Sequence, residues 1–180
     1  MDLGIASPLA DFMPISDSFK EYALKMGEQK SIYSFLVLVV FAPFFEEFIF
    51  RGIMLDGLLK RYSPLTAILL SSFLFGLVHL NMPQLVGGMV MGCFIGWVYY
   101  KSQSLTLSMI IHATTNFGAF LSRFLFSAEV QVKSSLEVYG GWQNLTLIMI
   151  ASGIIVFCSV CIIRKVYAPS SVNTATTDNV

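Results

Sequence analysis

Glu46-Glu47-Phe48-Ile49-Phe50-Arg51 places two carboxylates and a guanidinium inside a long apolar run, and the two histidines of the chain, His79 and His112, stand in later apolar runs. Each charge carried deep into a bilayer costs about 2.5–3.5 kcal/mol on insertion scales, so such a cluster marks a site rather than decoration. Glu47 and Arg51 are four residues apart, share a helix face and neutralise each other as an ion pair. Glu46 is turned about 100° away from Glu47 and presents its carboxylate to a different neighbour, free for proton transfer. His112 and Asn116 are also four apart, a spacing that lets the amide hold the imidazole or a shared ligand. Phe75 lies one turn before His79 and can wall the same cavity. A desolvated carboxylate beside imidazoles is a competent base for activating water; the same groups also suit an intramembrane proton relay in a small transporter.

Each fragment has a plainer reading. The acidic cluster is a surface feature if its helix leaves the membrane at Phe45. A lone histidine at a helix end is more often a hydrogen-bonded packing residue, and His112 with Asn116 alone is more often an interhelical contact. Gly88, Gly92 and Gly96 form a small-residue stripe that serves close helix packing or a homo-oligomer contact, not phosphate binding.

The elements that must position these groups are transmembrane. The chain has 180 residues, 56% hydrophobic and 12% charged, with sixteen Phe and nine Met, and a mean hydropathy of +0.73. This composition describes a protein dissolved in a lipid bilayer. Net charge is zero and no basic run is dense enough to track phosphates, which excludes a nucleic-acid partner. Cys93, Cys158 and Cys161 are odd in number and sit in apolar stretches, so they read as packing residues rather than a disulfide framework.

Residues 1–31 are expected to hold an amphipathic surface helix over 15–30, without a secretory signal, leaving insertion to internal helices. Apolar segments follow at about 32–59, 65–80, 84–100, 104–126 and 143–163, each near the ~20 residues that cross a hydrocarbon core. The fold class is therefore all-α, a polytopic membrane helix bundle of about five transmembrane helices. Asn81 and Pro83 separate the two short segments, which form a tight or partly re-entrant hairpin. An unbroken helix over 32–59 would be about 42 Å long and must tilt, emerge or kink near Pro43. Residues 127–142 read as an exposed loop, 143–166 as the final transmembrane helix and 167–180 as a disordered tail. The distribution of Lys and Arg favours a cytoplasmic carboxyl terminus.

In this order the residues resemble the CAAX protease and bacteriocin-processing or abortive-infection family of intramembrane endopeptidases. Glu-Glu-x-x-x-Arg is matched by Glu46, Glu47 and Arg51, Phe-x-x-x-His by Phe75 and His79, and His-x-x-x-Asn by His112 and Asn116. Residues 32–126 are the segment that would hold the catalytic core. The resemblance implies hydrolysis of a peptide bond in a membrane-associated or lipidated substrate. Glu46 would be the general base, His79 would help activate water, and His112 with Asn116 would stabilise the oxyanion. Glu47, Arg51 and Phe75 would support them. It leaves the cofactor open between none and a divalent ion such as zinc held by Glu46, His79 and His112. The absence of His-Glu-x-x-His tilts the reading toward a metal-free mechanism. A non-hydrolytic bacteriocin-immunity or scaffold role is the alternative the family also offers, and a bacterial cell membrane is the expected location.

Overall fold

The structure, a computed structural model, describes Asp11 and residues 16–167. Among the described residues there is no strand. Helix α1 spans Asp17–Glu28, α2 Ile32–Leu59, α3 Pro64–Leu77, α4 Met82–Ser102 and α5 Leu105–Leu125. A 3-10 turn at Ala128–Val132 and a short α6 at Ser135–Tyr139 lead into α7 at Trp142–Val166. Ile15 and the tail after Tyr167 lie outside the described residues.

The helix starts are set by local chemistry. Ser16, Ser31, Ser63, Asn81, Ser104 and Ser134 each accept, through the side chain, the N–H of the third residue onward, which satisfies a donor the helix itself leaves orphaned. Asn81 does so for Gln84, so α4 begins before the expected position 84. The same cap shortens α3. The chain turns through Leu80 in a left-handed conformation at φ 56°, the helix stops at Leu77, and His79 falls in the turn rather than in the helix. Residues 127–142 are not a bare loop either, because Ser134 and Glu137 form a reciprocal capping box and the Ser135 N–H is given to Asp11 Oδ2 at 2.8 Å.

Among the described residues three helices, α2, α4 and α7, are long and apolar enough to cross a membrane. At 14 residues α3 reaches only about 21 Å, short of a hydrocarbon core of ~30 Å. α5 matches α4 in length, but Ser108, His112, Thr114, Thr115 and Asn116 dilute its apolar content. Two of them, His112 and Asn116, reach α2.

The glycine stripe of α4 is occupied within the chain. A Cβ on Gly88 would lie 3.0 Å from Gly76 Cα, one on Gly92 3.0 Å from Ser72 Cβ, and one on Gly96 3.3 Å from Ile68 Cγ2. Of the two roles the spacing offered, close packing is therefore the one seen, and the stripe is covered by α3. Below it Leu55, Ala67, Ile68 and Tyr99 make a buried apolar cluster joining α2, α3 and α4, so Tyr99 belongs to the core rather than to an interfacial belt. Gly76→Ala is expected to destabilise by about 1–3 kcal/mol through overpacking, since its Cβ would stand 2.5 Å from the Leu85 carbonyl oxygen. Gly153→Ala in α7, where a Cβ meets nothing within 4 Å, should instead gain up to about 1 kcal/mol of helix propensity. Unfolding midpoints in mixed SDS micelles compare the two.

Candidate active site

The acidic cluster is displayed by an irregular helix. α2 is α-helical over Ala42–Glu47 but widens to i→i+5 hydrogen bonding over Leu36–Phe41 and again over Phe48–Leu55. Wide turns insert a residue without ending a helix and recur at functional sites. The first lies just before Pro43, where the helix continues, and Ala42 gives its N–H to Val37 O, five residues back. Glu46 and Glu47 thus sit in the last regular turn before the second widening.

Glu47 is the organising group. Its side chain is fully buried, as is that of Arg51, whose Nη1 lies 3.0 Å from Glu47 Oε1. Arg51 Nη2 donates to Gly92 O on α4 at 3.2 Å, and its guanidinium lies 4.7 Å from the Phe75 ring centroid. The ion pair expected from the four-residue spacing is therefore present. His112 Nδ1 stands 2.7 Å from the same Glu47 oxygen. A carboxylate paired with a guanidinium only accepts hydrogen bonds, so Nδ1 carries the hydrogen and Nε2 of neutral His112 is a lone pair. That Nε2 faces Glu46 Oε2 at 3.6 Å.

Glu46 is the accessible member, with 30% of its side chain exposed against 2% for His112. Both imidazoles lie within electrostatic range of it. His79 Nδ1 is 3.0 Å from Phe75 O, a carbonyl at the end of α3 with no helical donor left to it, so this histidine also keeps its hydrogen on Nδ1 and its lone pair on Nε2. The buried Phe75 ring packs edge-on between the two, 5.5 Å from His79 and 5.6 Å from His112, centroid to centroid. Phe75 thus touches both imidazoles.

Of the two roles the spacing offered, Asn116 does not make the bond to the imidazole. Its Nδ2 donates to Leu38 O at 2.9 Å, and the imidazole one turn away is held by Glu47 instead. Sequence reasoning did not find the Glu47–His112 contact, which links residues 65 apart; adjacency of two carboxylates left either free to face a histidine. As to a metal, among the described residues no group of three His, Cys, Asp or Glu side chains converges closely enough to hold an ion. Glu46, His79 and His112 do not fit that ligand set as they stand.

Residues 28–118, half of the chain, match the profile of the family described as type II CAAX prenyl endopeptidase Rce1-like. The chain belongs to the Rce1-like family. This is a family of membrane proteases, and the matched segment contains Glu46, Glu47, Arg51, Phe75, His79, His112 and Asn116. The chain is also 28% identical over 102 residues to the UPF0177 protein YxdF of Lactococcus lactis subsp. lactis, covering 56% of each chain. It therefore spans little more than half the length of that relative. No solved structure matches it.

Proposed function

We propose that this Rce1-like protein is an intramembrane endopeptidase that hydrolyses a peptide bond in a membrane-associated or lipidated substrate. What carries the reading is the Glu46–His112–Glu47–Arg51 chain, with spacings of 3.6, 2.7 and 3.0 Å. It runs from a part-exposed carboxylate to a fully buried charge pair. Glu46 takes a proton from water as the oxygen attacks the scissile carbonyl carbon, and returns it to the leaving amine when the tetrahedral intermediate collapses. The Nε2 lone pair of His79 orients the same water. His112, protonated and anchored by Glu47, turns an Nε2–H toward the oxyanion in a water-poor cavity, where such a donor is most effective. Asn116 retains one amide hydrogen for that oxygen, the other being given to Leu38.

The bundle crosses the membrane five times in this reading, with α3 and α5 completing the set begun by α2, α4 and α7. A bacterial cell membrane is the location it proposes, supported by the Lactococcus relative. The test is cleavage of a panel of lipidated peptides by the full chain in lipid nanodiscs, followed by mass spectrometry. His79→Ala is expected to lower the rate by about 10²-fold or more, while EDTA and 1,10-phenanthroline leave it unchanged. No cleavage of any peptide by folded protein, or loss of cleavage on chelation with rescue by zinc, overturns the reading.

A further inference from the structure

Pro43 leaves a backbone carbonyl of α2 without a partner. In the widened turn Ala42 gives its N–H to Val37 O, so the next carbonyl, Leu38 O, falls to residue 43 in the same register, and proline has no N–H to give. The neighbouring donor, Ala42, is already spent on Val37. An unpaired carbonyl inside a membrane bundle is costly, since no water is at hand to satisfy it. Asn116 Nδ2 reaches across from α5 and donates to Leu38 O at 2.9 Å. Asn116 and His112 lie one turn apart on α5, and Leu38 lies two turns before Glu46 and Glu47 on α2, so the bond fixes α5 against the helix that carries both carboxylates. Apart from the Glu47–His112 contact itself, the other polar stitches onto α2, Ser71 Oγ to Phe50 O at 2.9 Å and Arg51 Nη2 to Gly92 O, tie it to α3 and α4.

We propose that Asn116 is a positioning residue that caps the carbonyl orphaned by Pro43 and so holds His112 in register with Glu47. The catalytic meaning of that register rests on the protease reading, but the bond itself does not. It calls for a test without substrate.

Wild type, Asn116→Ala, Pro43→Ala and the double variant are unfolded as full chains in mixed SDS micelles. Pro43→Ala restores a donor to Leu38 O in either register: through the new N–H at position 43 if the wide turn persists, or through that of Ala42 if the turn tightens to i→i+4. Asn116→Ala should lower the unfolding midpoint, and its effect should shrink by about half or more when Pro43 is already replaced. Asn116→Leu, similar in volume and without a donor, should repeat the drop, which separates the hydrogen bond from the packing. The second readout is the 15N spectrum of the imidazoles, assigned with His79→Phe. At a pH high enough to leave the ring neutral, His112 should show the single Nδ1–H tautomer in wild type, a mixture in Asn116→Ala, and the single form again in the double variant. Equal midpoint drops in both Pro43 backgrounds, a stable Asn116→Leu, or an unchanged His112 tautomer in Asn116→Ala each overturn the proposal. A failure to cleave peptides would overturn the protease reading and leave these results standing.

Discussion

Replacing Glu46 with Gln is expected to cut peptide cleavage by about 10²–10⁴-fold while the protein stays folded and inserted. The substitution keeps shape and hydrogen-bonding reach but removes the basic oxygen, and Glu46→Ala should lose as much. Stability should hold because Glu46 takes no part in the buried charge pair: its nearest polar partner is His112 Nε2 at 3.6 Å, longer than a hydrogen bond. The comparison that gives the result its meaning is Glu47→Gln, which alters the anchor rather than the base. That variant should lose cleavage and stability together. Cleavage rates in nanodiscs, measured beside SDS unfolding midpoints, separate the two. Near wild-type cleavage by Glu46→Gln would remove the general base from the mechanism.

The largest stability loss is expected at Arg51. Arg51→Met keeps much of the apolar stem but leaves the Glu47 carboxylate buried with only His112 beside it, and breaking one half of a buried pair costs about 3–5 kcal/mol. Arg51 Nε and Glu47 Oε2 make no hydrogen bond, so the pair is held by one bond rather than a fork, the second arm of the guanidinium being spent on Gly92 O. The variant thus loses the α2–α4 stitch as well as the charge compensation. Glu47→Gln combined with Arg51→Met should recover part of the loss, since the stranded charge disappears with its partner. The double variant should nonetheless stay inactive in cleavage, because a neutral amide in place of the Glu47 carboxylate cannot hold His112 as an imidazolium. Equal midpoints for Arg51→Met and wild type would show that the buried pair contributes nothing to the fold.

The two sets of variants also divide what each carboxylate does. Sequence spacing distinguished Glu46 from Glu47 only by a rotation of about 100°. In the folded chain that rotation leaves Glu46 part-exposed and sends Glu47 to a fully buried seat between Arg51 and His112. In the protease reading the first serves proton transfer and the second orients the histidine beside it.

Local patterns alone determined a great deal: the all-helical class, the Glu47–Arg51 pair, the break at Asn81 and Pro83, and the three motifs that match the Rce1-like family. These rest on periodicities and caps spanning only a few residues, which a linear reading resolves. Several matters were decided by tertiary structure. His112 turns to Glu47 and Asn116 to Leu38 because those partners, 65 and 78 residues distant in sequence, become neighbours only when α2 packs on α5. The glycine stripe closes on α3 because the short hairpin lays that helix directly against it. The helix runs on through Pro43, the preceding turn widening and a side chain from another helix satisfying the carbonyl that proline frees. In each case a buried polar group or a small-residue surface must find a partner, and which partner it finds depends on the order in space of helices that the sequence lists only in line.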